Sequence, residues 1–130
     1  MKIKYTYFQF EKDLKRIVNE LKPNLRSIKN IYGIPRGGIV LATHLSYRTG
    51  KPLLFNKNKI DRNTLVVDDI SDSGRTLKET LRDKKCFRVI SIFTTPHTKF
   101  PPNFFCRIKK KTDWVIFPWE TRESSKYDRI

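Results

Sequence analysis

The chain has 130 residues, which suits one domain with a real core and is too short for two. Apolar residues make up 38% and aromatics 12%, so the chain is expected to fold, and no apolar run approaches the ~20 residues of a membrane span. Against 13 acidic residues stand 28 basic ones, a net charge of +15 that attracts polyanions: nucleic acid or a pyrophosphorylated substrate. Cys86 and Cys106 make no disulfide framework and fit a reducing compartment, so a cytoplasmic location is expected. His44 and His97 are the only histidines, so no Cys/His metal cluster is present. The opening residues lack the apolar core of a secretory leader, and none is expected.

Phe10, Leu14, Ile17, Val18 and Leu21 recur at helical spacing and predict an amphipathic helix that Pro23-Asn24 ends. Ile28 to Gly33 reads as the first central strand. It leads through Pro35-Arg36-Gly37-Gly38 into a buried helix reaching about Thr49. Adjacent glycines at such a turn let the backbone come close to a ligand, and Arg36 adds a planar cation. Pro52 to Phe55 reads as a short strand, and residues 56–63 form a connection containing Lys57, Lys59 and Arg62.

The most informative stretch is Leu65-Val66-Val67-Asp68-Asp69-Ile70-Ser71-Asp72-Ser73-Gly74-Arg75-Thr76. A buried strand is followed by an acidic pair, a loop of small hydroxyl residues, and a helix expected to end near Asp83. Ligands of open α/β sheets bind at the carboxyl ends of strands. Carboxylates there suit sugar hydroxyls or a hard cation, and a Ser/Gly loop opening a helix suits phosphate. Phe87 to Phe93 is a further strand, 94–103 a proline-set loop, and Phe104 to Ile108 a short edge strand. Lys109 to Thr112 reads as exposed, the lysine run being solvated surface. Asp113-Trp114-Val115-Ile116-Phe117-Pro118-Trp119-Glu120 follows, and Thr121 to Ile130 reads as a polar tail.

Residues 65–76 resemble the phosphoribosyl-pyrophosphate (PRPP) signature of the type I phosphoribosyltransferases. The resemblance implies that Asp68 and Asp69 bind the ribose hydroxyls together with Mg²⁺. It also implies that Ser71, Ser73, Gly74, Arg75 and Thr76 wrap the 5-phosphate. Pro35, Arg36, Gly37 and Gly38 are similar to the pyrophosphate loop of xanthine and guanine members. The stretch 113–120 is similar to the end of the xanthine, guanine and hypoxanthine enzymes, which implies that Trp114 stacks on the purine and the Val115 backbone reads its edge. Trp119 is then structural. Purine members carry an acid where Asp72 stands, near N7 of the base, which implies proton transfer; its alternative role is to cap the following helix. Two features depart from the pattern. The connection 56–63 is short for the mobile loop of the family. Some purine members contact the 6-oxo group through a Lys just before the proline matching Pro96, where this chain has Thr95.

The expected fold is therefore α/β, a type I phosphoribosyltransferase domain with a five-stranded, mainly parallel sheet flanked by helices and a small irregular hood. The expected activity is transfer of 5-phosphoribosyl from PRPP to a 6-oxopurine, with Mg²⁺, in a homo-oligomer such as a dimer. A PRPP- or nucleotide-sensing regulator that binds RNA through its basic surface stands as the alternative.

Overall fold

The computed structural model describes residues 1–121. It opens with a short strand, β1 (Lys2–Lys4). Thr6 then caps α1 (Tyr7–Leu21): its hydroxyl accepts from the Gln9 amide while the Gln9 side chain accepts from the Thr6 amide. This reciprocal pair satisfies amides that have no partner within the helix. The apolar stripe predicted for the helix is the face it buries, through Phe10, Leu14, Ile17 and Leu21. Pro23 lies in a short 3-10 segment, Lys22–Ser27, rather than at a plain stop.

Next come β2 (Asn30–Gly33), α2 (Gly37–Thr49) and β3 (Leu53–Leu54). They are followed by β4 (Thr64–Ser71), α3 (Arg75–Thr80), β5 (Arg88–Thr94), β6 (Phe104–Ile108) and β7 (Trp114–Ile116). Five strands form one parallel sheet in the order β3-β2-β4-β5-β6. The predicted five-stranded α/β sheet is present, and β6 lies at its edge as expected. β1 and β7 form a separate two-stranded parallel ladder, with Ile3 opposite Val115.

The pleat sorts each central strand onto two buried faces. Ile31, Leu65, Val67 and Ile90 join the core that α1 and α2 cover. Tyr32, Val66 and Val89 pack instead with Leu77 and Leu81, and with Ile60 of the β3–β4 connection. Each fully buried aliphatic side chain contributes about 1.5–3 kcal/mol. The Arg75–Glu79 pair, with side chains 83% and 63% exposed, adds at most about 1 kcal/mol, so the two-sided core dominates. One buried charge pins the sheet edge to α1. Asp13, 1% exposed, accepts from the Tyr5 hydroxyl at 2.5 Å and from Arg107 Nε of β6 at 2.8 Å.

Two boundaries differ from the sequence expectation. The sequence puts the acidic pair just beyond the strand, but the β4–β5 ladder runs on through Asp68 and Ile70 to Ser71 opposite Thr94. Pairing with β5 extends the strand past the apolar run that marks it in the sequence. α3 ends at Thr80, short of Asp83. The expected polar tail lies, from residue 122 on, outside the described residues.

Candidate active site

Because the main sheet is parallel, all its carboxyl ends share one edge. A cleft of about 440 Å³ opens there, lined by Ile34 to Gly37, Val40, Asp68 to Ile70, Thr76, Trp119 and Glu120. That volume falls within the range of small-molecule sites. A smaller hollow of about 80 Å³ adjoins it, walled by Asp68 and the segment from Ile70 to Leu77.

The β2–α2 turn forms one wall, and its glycines are needed for close approach. A Cβ on Gly37 would overlap the Asp69 carboxylate, and one on Gly38 would come 2.6 Å from the Val67 carbonyl oxygen. The turn therefore lies flat against β4. Pro35 and Arg36 are exposed above it, joined by a cis peptide bond.

The acidic pair forms the floor. Successive residues of a strand point to opposite faces, so Asp69 follows Val67 toward α2 while Asp68 follows Val66. Asp68 is 7% exposed and accepts the Asp69 amide at 2.8 Å; Asp69 accepts the Ile70 amide at 2.8 Å. Burial pushes the Asp68 carboxyl well above the usual carboxylate range, and the neighbouring Asp69 charge adds to the effect. A cation or a set of hydroxyl donors delivered by a ligand would relieve that repulsion. Among the described residues no group of three or more His, Cys, Asp or Glu gathers as a metal cage. Two adjacent carboxylates without a cage fit Mg²⁺, which typically takes one or two protein carboxylates and completes its shell with water and substrate oxygens.

The loop after β4 is held from the far side. The Ser71 hydroxyl donates to the Phe100 carbonyl at 3.0 Å and meets Thr98 Oγ1 at 3.0 Å, while the Lys99 amide donates to the Ser73 carbonyl at 2.9 Å. Gly74 has φ +83°, a left-handed conformation, and a Cβ there would come 2.5 Å from the Phe100 nitrogen. Arg75 and Thr76 are exposed, and Arg75 pairs with Glu79.

Asp72 turns away from the helix. The N-cap position of α3 is Gly74, and at the helix start it is the Ser73 hydroxyl oxygen that accepts the Arg75 amide, at 3.2 Å. Instead Asp72 Oδ1 lies 3.3 Å from His97 Nε2, and Oδ2 lies 3.1 Å from Lys109 Nζ. The Thr95 hydroxyl donates to the Asp72 carbonyl at 2.5 Å. This corrects the expectation for residues 109–112: Lys109 is 4% exposed, whereas Lys110 to Thr112 are exposed. The missed signal was positional, since Lys109 follows β6 directly and so sits at the ligand-binding edge of a parallel sheet.

Of the residues singled out in the sequence, the cleft brings together Pro35, Arg36, Gly37, Asp68, Asp69 and Thr76. Ser71, Asp72, Ser73, Gly74 and Arg75 wall the adjoining hollow, and Gly38 backs Gly37. Trp114 and Val115 line neither. Trp114 is 60% exposed on β7, and Val115, 6% exposed, packs into the core. Trp119 does reach the cleft, stacked on Phe117 at 4.9 Å and edge-on to Phe10 at 5.1 Å. Arg62 lines an open depression with Asp83, Lys84 and Lys85, residues that precede β5 and so lie at the opposite end of the sheet.

No family model matches the sequence. The chain is 34% identical over 79 residues to the transcriptional regulator GfcR of Picrophilus torridus, a match covering 49% of this chain. The match spans 40% of that curated relative's length. The purine phosphoribosyltransferase of Pyrococcus horikoshii has a similar structure, with TM-score 0.77 and 25% identity over 92% of this chain and 94% of that one. The Helicobacter pylori xanthine-guanine-hypoxanthine phosphoribosyltransferase has TM-score 0.78 and 24% identity over 98% of this chain and 99% of that one. The chain thus has the type I phosphoribosyltransferase fold, which it shares with these enzymes.

Proposed function

We propose that the protein transfers the 5-phosphoribosyl group of PRPP to a 6-oxopurine, releasing pyrophosphate. The observation that carries this reading is the meeting of three elements at one sheet edge: the acidic pair, the glycine turn with Arg36, and the Ser/Gly loop. In this reading Asp68 and Asp69 take the ribose hydroxyls, residues 71–76 the 5-phosphate, and Pro35 to Gly38 the pyrophosphate. Mg²⁺ held by Asp68, Asp69 and substrate oxygens would neutralise the leaving group. As the bond from the anomeric carbon to pyrophosphate breaks, its electron pair departs with pyrophosphate. The carbon gains cation character and base N9 forms the new bond. Asp72 takes the proton the base gives up. Trp114, largely exposed, is the aromatic platform for the base, while Trp119 braces the cleft wall.

Steady-state assays with PRPP, Mg²⁺ and hypoxanthine, guanine, xanthine or adenine test this. Pyrophosphate and a nucleoside monophosphate are expected with the 6-oxopurines. PRPP binding without turnover of any base would overturn the enzyme assignment.

A second reading is a nucleotide-responsive regulator that binds RNA; the GfcR match favours its regulatory part and the net charge of +15 its polyanionic partner. It requires submicromolar RNA affinity near physiological salt, with a steep log–log loss as counterions compete. Weak binding with a shallow slope would exclude it.

A further inference from the structure

The basic connection between β3 and β4 takes no part in the cleft, and its cations meet others at the far end of the sheet. An open depression of about 530 Å³ lies there, walled by Asn58 and Ile60 to Arg62 on one side and by Asp83 to Lys85 on the other. Lys57 and Lys59 flank Asn58 in a 3-10 turn, and both are exposed. Backbone bonds set the neighbouring strand starts side by side. The Lys29 amide donates to the Asn63 carbonyl at 2.7 Å, and the Phe87 amide to the Thr64 carbonyl at 2.8 Å. Exposed Lys29, one residue before β2, therefore belongs to the same edge.

Lys29, Lys57, Lys59, Arg62, Lys84 and Lys85 thus gather around two carboxylates, Asp61 and Asp83. Among the described residues none of these cations has a carboxylate within ion-pairing distance. Asp61 Oδ1 already accepts the Asn63 amide at 2.9 Å, and Glu20, which lies toward this end, is paired with Arg88 at 3.7 Å. The carboxyl end is the reverse, with Asp68, Asp69, Asp72 and Glu120 lining the cleft and its hollow. Charge is therefore sorted along the strand direction. Cations crowded without counter-charge repel one another, and a bound polyanion relieves that repulsion. No exposed aromatic or large apolar side chain lines the depression, since Ile60 is buried. It lacks the anchor on which a protein interface centres or that enters a lipid layer. Ammonium groups, a guanidinium and the Asn58 amide suit the repeated phosphates of a nucleic-acid strand, gripped without reading its bases.

We propose that this amino-terminal edge of the sheet binds the phosphodiester backbone of a nucleic acid. The surface lies at the opposite end from the cleft, so the inference goes beyond the phosphoribosyl-transfer reading and does not depend on it. A strand held here leaves the PRPP site open.

Fluorescence anisotropy with labelled single-stranded RNA and single-stranded DNA of about twenty nucleotides tests the inference. The wild type should bind at least one of them with a Kd of about 1–10 µM or tighter near physiological salt. Its log–log salt slope should be about −4, from six phosphates neutralised at roughly 0.7 each. The triple variant Arg62→Gln, Lys84→Gln, Lys85→Gln should bind at least about tenfold more weakly, with a slope shallower by about two. Lys2→Gln, Lys4→Gln, Lys111→Gln removes the same charge from β1 and the turn before β7, and should lose less than about twofold, because screening confines each charge to its neighbourhood. If the first variant does not fold, amine-reactive labelling of the wild type decides: RNA should protect Lys57, Lys59, Lys84 and Lys85 and leave Lys2 and Lys4 reactive. PRPP with Mg²⁺ should leave the affinity unchanged. Equal losses in the two variants, uniform protection of the lysines, displacement of the strand by PRPP, or a Kd above about 100 µM for both strands overturns the inference.

Discussion

Asp72 and the Asp68–Asp69 pair are acidic residues a few positions apart with different surroundings, and substitution separates their roles. Asp72 is half exposed, caps nothing, and faces the side chains of His97 and Lys109. Asp72→Asn keeps an oxygen for Lys109 and loses the proton acceptor. We expect kcat for a 6-oxopurine to fall about 10²-fold or more, with PRPP affinity and Tm nearly unchanged. Retained turnover would return the residue to a structural role. Asp68, by contrast, is buried and its neutral form is favoured by that burial. The double substitution Asp68→Asn, Asp69→Asn should therefore keep the fold and abolish PRPP binding in calorimetry. Unchanged affinity in the folded variant would remove the ribose assignment.

At the scale of elements, the site depends on how closely the β2–α2 turn lies on β4. A Cβ on Gly37 must displace the Asp69 carboxylate, because the two would overlap. Gly37→Ala is expected to cost about 1–3 kcal/mol of stability from overpacking and to weaken PRPP binding at least about tenfold. Gly50 provides the contrast: its φ is +75°, but a Cβ there would meet nothing within 4 Å. Gly50→Ala should cost about 1 kcal/mol of backbone strain and leave PRPP affinity intact. Equal affinity in both variants would mean that the turn does not shape the site. The clamp of Asp13 on Tyr5 and Arg107 works in the same sense, fixing the strand whose end delivers Lys109.

Across the whole molecule, several ionisable groups are held in the protonated form by burial. The Cys106 thiol is pushed up to about 12, first by burial and then by the nearby Asp13 charge. Burial likewise raises Cys86, Tyr32 and Tyr5, and Tyr5 is raised further by its bond to Asp13. A folded-state pKa above the unfolded value favours the protonated native protein. The stabilisation is complete below the unfolded values, about 8.5 for Cys and 10 for Tyr, and is lost as pH rises through the folded ones. The urea midpoint should therefore decline progressively above about pH 9. Cys106 should resist thiol reagents at neutral pH until the chain is unfolded. A midpoint constant from neutral to strongly alkaline pH would contradict the burial of these groups.

What the sequence determined by itself was whatever local periodicity and residue chemistry encode. The stripe from Phe10 to Leu21, the β-branched runs of β4 and β5, the glycine pair before α2 and the acidic pair before a Ser/Gly loop are each confined to a dozen or so neighbouring residues. They specify which face is apolar and where a chain must turn, and hence the α/β sheet and the edge carrying the site. The tertiary structure alone decided the rest. Lys2–Lys4 has no strand pattern and becomes one only by pairing with Trp114–Ile116. Lys109 looks like the start of a solvated run, yet it is buried because strand order brings the end of β6 over the loop after β4. Trp119, rather than Trp114, reaches the cleft because the segment after β7 folds back on Phe117 and Phe10. In each case the deciding partner is far along the chain, and a local pattern records how exposed a residue should be without recording what covers it.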